Sequence, residues 1–80
     1  MPGKYSKMIS SGDLDRIERD FTYHPPKLDQ QERYVYLRDT AKDLAFVILE
    51  NTPTSREQSL AITNLEQAIF WANAAIARNE

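Results

Sequence analysis

The sequence predicts an all-α protein, a short N-terminal helix followed by a long antiparallel helical hairpin, assembled as a homo-oligomer. Two long stretches repeat apolar residues at three- and four-residue spacing, as one face of a helix requires. Prolines fall only outside those stretches, at Pro2, Pro25, Pro26 and Pro53. Finally, 80 residues with no cysteine form a chain too short to bury a large core and without the disulfides that would compensate.

Residues 1–10 carry Pro2, Gly3 and two lysines without an apolar period, and they read as a loosely ordered N-terminus. Residues 11–80 read as a single hairpin domain. Its first helix spans about 11–21, where Leu14, Ile17 and Phe21 form one stripe and acidic and basic residues fill the other faces. A helix this short is marginal alone and needs something to dock on.

A strap follows, Tyr23-His24-Pro25-Pro26-Lys27-Leu28-Asp29. The two prolines lack N–H groups and push their predecessors toward extended conformations, so the strap is stiff and non-helical. The second helix is expected over 30–50, with Asp29 as its N-cap and Glu32 returning a bond in a capping box. Tyr23, His24, Pro25 and Lys27 are then held near the positive end of a helix dipole, where an anion is welcome.

The seam of that helix reads Tyr34, Leu37, Ala41, Leu44, Ile48, and Ala45, Phe46, Val47 and Leu49 widen it toward the C-terminal end. Pro53 closes the helix, and either Thr54 or Ser55 can cap the next one, expected over 55–78. Leu60, Leu65, Ala68, Ile69, Ala72 and Ile76 form its main face, with Phe70 and Trp71 beside it. A short loop folds the two long helices back on each other.

Both long helices are apolar beyond the face they can share. Self-association accounts for the surplus, with Phe46, Phe70 and Trp71 as interface anchors. The competing arrangement is a monomer whose N-terminal helix covers these rings.

Composition excludes several functions. One histidine and no cysteine cannot build a zinc site within one chain, and no metal or cofactor is expected. A net charge of −2 offers no broad basic field for DNA or RNA. No apolar run approaches the roughly 18 residues of a membrane helix and no signal-peptide pattern opens the chain, so a cytosolic protein is expected. Catalysis has little support: His24 has no nucleophile motif beside it, both glycines lie outside the long helices, and the carboxylates are spread along helix faces. A His24 ring packed against Tyr23, or a hydrogen-bonding contact, is a better expectation than a general base.

The cations are more informative. Arg33 has Asp29 four residues back and Lys42 has Asp39 three back, so each has an ordinary helical partner available. Arg38 has only Tyr34, Val35, Ala41 and Lys42 at those spacings, which leaves it beside a like charge. Arg38 and Lys42 next to the Tyr34 ring suit a phosphate, unless a carboxylate from another helix meets Arg38. Arg56 also has no acid three or four residues away and shares the start of the third helix with Ser55, Ser59 and, one turn on, Thr63, which could form a second anion site or a plain solvated cap.

The runs FTYHPPKLDQQERY, LRDTAKDLA and TPTSREQSLAITNLEQAIFWANAAIARNE, from Phe21 to Glu80, resemble the hairpin-domain anti-CBASS nucleotide sponges of phages. The resemblance implies a homohexamer that captures cyclic dinucleotides such as cyclic GMP-AMP between subunits, uncleaved, in the cytosol of the infected bacterium. It implies that Tyr23 stacks on a base and that Arg38, with Lys42 as neighbour, meets the phosphates. Some relatives also hold cyclic trinucleotides, for which Arg56, Ser59 and Thr63 are the loosest match. The alternative is an oligomeric interaction protein with no nucleotide ligand.

Overall fold

Local side-chain chemistry sets where each helix begins. The computed structural model describes residues 8–80, and among them three helices and no strand: α1 (Ser11–Asp20), α2 (Leu28–Asn51) and α3 (Arg56–Asn79). Most of the expected loose N-terminus therefore lies outside the described residues. Ser10 opens α1 by accepting the Asp13 N–H on its Oγ at 3.1 Å.

At α2 the expected Asp29–Glu32 capping box does not form, because the helix begins earlier, directly after the prolines. Lys27 is the N-cap, and the Gln30 side chain accepts its N–H at 2.9 Å. Lysine has no side-chain acceptor, so only the returning half of a box exists. Asp29 sits instead in the first turn and pairs with Arg33 at 3.3 Å. Gln30 becomes the most enclosed polar residue described, 4 % exposed.

The turn between the long helices is stapled by side chains. Asn51 and Thr52 return to the carbonyls of Val47 and Ile48, each at 2.7 Å, which ends α2 before Pro53. Gln58 then donates to both the carbonyl and the hydroxyl of Thr52, each at 3.0 Å. Of the two candidate caps it is Ser55 that starts α3, accepting the Gln58 N–H at 3.1 Å.

The inward face of α2 runs through Tyr34, Leu37, Ala41, Ala45 and Ile48, all half-buried, while Leu44 remains 47 % exposed. The expected seam thus changes at one position, Ala45 in place of Leu44, and is back in register at Ile48. On α3 the inward face runs Ile62, Leu65, Ile69, Ala72 and Ile76 at three- and four-residue spacing, while the expected Leu60 and Ala68 are exposed.

The open end of the hairpin is closed by charge. Arg33 Nη1 donates to Glu80 Oε2 at 2.7 Å, its other nitrogen meets Oε1, and Gln30 donates to the same carboxylate at 3.3 Å. Those hydrogen bonds hold the Glu80 carboxyl down at about 2, and they push the Arg33 guanidinium further up. Glu80 therefore supports the fold fully above its ordinary value near 4.5 and loses that support as pH falls toward 2. An acid titration should show Glu80→Gln destabilised relative to the parent at pH 7, with the gap closing between pH 4.5 and 2. The groups are more than a third exposed, so solvent screens the pair and the gap should be small.

Among the described residues no apolar side chain is fully buried. The chain measures 53 × 33 × 14 Å with a radius of gyration of 17.7 Å, against about 12 Å for a compact domain of this length. A sheet of helices one layer thick has no interior. Phe46, Phe70 and Trp71 are 53 %, 64 % and 69 % exposed, so α1 does not cover them. Helix α1 keeps its own stripe open as well, with Ile17 at 44 % and Phe21 at 85 % exposure.

Candidate functional site

The strap after α1 folds back on that helix and so presents its rings toward α3. Phe21 N–H donates to the Ile17 carbonyl at 3.0 Å, Thr22 Oγ1 donates to the Glu18 carbonyl, and His24 Nε2 donates to the Arg19 carbonyl at 2.6 Å. A carbonyl can only accept, so this bond places the proton on Nε2 and leaves Nδ1 for another partner. His24 is thereby a positioned hydrogen-bonding group.

The result is an open cleft of about 440 Å³ between the strap and the hairpin, lined by Asp20, Tyr23, His24, Tyr34, Asn73 and Arg78 among others. It joins two phenol rings, an imidazole, an amide and a guanidinium, which are groups that stack on flat bases and bind phosphates. Tyr23 is 79 % exposed and free to accept a ring on its face. The Asn73 amide has its Oδ1 buried without a hydrogen-bond partner, a group that costs free energy until a donor reaches it.

Asp20 bridges two cations at this cleft. Its Oδ1 lies 3.0 Å from Arg19 Nε and 3.5 Å from Arg78 Nε. Sequence reasoning passed over Arg78 and Asn73. Nothing in the spacing of α3 distinguishes Asn73 from an exposed helix asparagine, and the Asp20 partner of Arg78 belongs to another helix. The signal that was available is their place in the WANAAIARNE run, which the resemblance covers.

Arg38 and Lys42 lie elsewhere. They border a groove of about 210 Å³ between α2 and α3, with Ile62, Glu66, Ile69 and Phe70. Among the described residues neither is in an ion pair, and the available Asp39–Lys42 pair does not form. Both side chains are exposed. Tyr34, one turn before Arg38, opens into the Tyr23 cleft and not into this groove.

Pro25 and Lys27 join His24 along a third depression of about 360 Å³, which also holds Gln30 and Glu80. Arg56, Ser59 and Thr63 line none of these three hollows. They are exposed on the opening turns of α3, far in sequence from the strap.

Among the described residues no group of acidic, histidine or cysteine side chains is arranged to hold a metal, and no helix is long and apolar enough to cross a membrane. No curated protein sequence and no solved structure matches the chain. The family model described as the Acb2/Tad1 hairpin domain matches residues 13–77, which takes in most of α1, the strap, all of α2 and nearly all of α3. On that match the protein belongs to the Acb2/Tad1 hairpin-domain family, the anti-CBASS sponges.

Proposed function

We propose that this protein captures cyclic dinucleotide messengers between its own subunits and holds them uncleaved, so that a CBASS effector is starved of its signal. The observation that carries this reading is the division of the candidate groups over separate hollows of one chain: Tyr23 and Tyr34 open into one, Arg38 and Lys42 border another. A cyclic dinucleotide carries two flat bases and two phosphates on a compact ring. It needs paired rings and paired cations close together; one chain brings a single guanidinium, Arg78, to its ring-lined cleft, and symmetry-related copies can supply the rest.

Association has independent support in the single-layer hairpin with no buried apolar side chain. Such a chain gains its interior by packing against copies of itself, and the hexamer that the resemblance implies is one closed way to do so. Ligand buried between subunits leaves slowly, which is what stoichiometric competition with an effector requires. In this reading His24, Pro25 and Lys27 shape the edge of the cage, and Arg78 adds a cation at its floor. Arg56, Ser59 and Thr63 form a second, more open patch suited to a cyclic trinucleotide. The setting is the cytosol of an infected bacterium, where the messenger is made.

Titration with cyclic GMP-AMP, followed by denaturing the protein and assaying the released nucleotide, tests the reading. Saturable binding with intact ligand is expected. Recovery of linear nucleotide would make the protein an enzyme, and failure to bind any cyclic di- or trinucleotide would leave an interaction protein.

A further inference from the structure

The cation of the Tyr23 cleft is already engaged by an anion of the protein. Asp20 is 19 % exposed and its one oxygen Oδ1 contacts both Arg19 and Arg78. Asp20 meets Arg78 through Nε alone, and a ligand phosphate at the same guanidinium would face the Asp20 carboxylate as a like charge at close range, which favours the departure of the weaker partner.

The same contact is a mechanical tether. Helix α1 and the strap to His24 are knit into one body by the Phe21, Thr22 and His24 hydrogen bonds. Among the described residues, Asp20–Arg78 is the one ion pair that joins this body to the α2–α3 hairpin, and no hydrogen bond joins them. The apolar stripe of α1 adds little hold, since Ile17 and Phe21 stay exposed. Pro25 and Pro26 then form a stiff joint between the two bodies.

We propose that Asp20 is a built-in competitor for Arg78: it caps the guanidinium until a phosphodiester takes its place, and it then leaves on Arg19, carrying α1 away from the hairpin. This rests on the sequestration reading above and adds an affinity-setting residue to it. Asp20 thus makes the cleft selective for anions strong enough to displace a carboxylate, and it couples capture to the position of α1.

The test compares the full-length parent, Asp20→Asn, Arg78→Ala and the double variant, each titrated with cyclic GMP-AMP at one salt concentration. Asp20→Asn should bind up to about fivefold tighter, the upper range for a partly exposed ion pair. In the Arg78→Ala background the same change should have no effect, because the partner is gone. Weaker or unchanged binding by Asp20→Asn in the parent background would show that Asp20 merely orients Arg78 or is idle, and would overturn the proposal. Amide exchange of residues 11–20 supplies an arm that needs no ligand: Asp20→Asn alone should speed it, and so should ligand on the parent. Exchange in α1 unchanged by Asp20→Asn sinks the latch, whereas a parent that takes up no nucleotide sinks the sequestration reading and not the latch.

Discussion

Phe70→Asp is expected to break the assembly into smaller species and to abolish uptake of cyclic dinucleotide in the same step. Phe70 is 64 % exposed beside a Trp71 that is 69 % exposed, and a single-layer hairpin has nowhere within itself to bury either. Truncation of a central aromatic at an interface costs about 2 kcal/mol or more, and a buried carboxylate adds its own desolvation cost. In the proposed closed assembly every copy would carry the change, so the losses would accumulate. Mass measured in solution checks the first effect and a binding titration the second, with Phe70→Leu as the control that keeps an apolar side chain. An Asp variant of wild-type mass would place the subunit contact elsewhere. Because an assembly of this kind can lack a stable folded monomer, lower helicity on dissociation is also expected.

Tyr23→Ala and Arg38→Ala should each weaken cyclic dinucleotide binding while leaving the size of the assembly unchanged. A base stacked on an aromatic ring is worth about 1–3 kcal/mol, so loss of Tyr23 should cost roughly 5- to 150-fold in affinity. A charge-assisted contact to phosphate falls in a range of about 1.5–3 kcal/mol, which puts Arg38→Ala in the same span. Arg38→Lys should recover part of that loss, since it restores the charge without the planar fork. Both residues are exposed, so neither change is expected to unfold the hairpin. Wild-type affinity in both Ala variants would remove these residues from the site.

The two experiments separate assembly from recognition. Phe70 acts on the first and changes the second only through it. Tyr23 and Arg38 act on the second alone. A protein that loses ligand in the recognition variants but keeps its mass, and loses both in the assembly variant, behaves as a cage that subunits complete together.

The chain by itself determined three helices, their order and the hairpin, because apolar periodicity and the proline positions are local instructions that nearest neighbours carry out. It also marked Arg38 as a cation without a partner, since three- and four-residue spacings enumerate every helical neighbour, and no carboxylate of another helix meets it among the described residues. Only the tertiary arrangement decided that Ala45 and not Leu44 faces α3, and that Asp20 reaches Arg78 from another helix. These depend on where one helix lies against another, and no residue's immediate neighbours in the chain encode that distance. The cleft itself is of this second kind: Tyr23, Tyr34 and Arg78 come from three separate segments, and their chemistry exists only where the fold brings the segments within a side chain's reach.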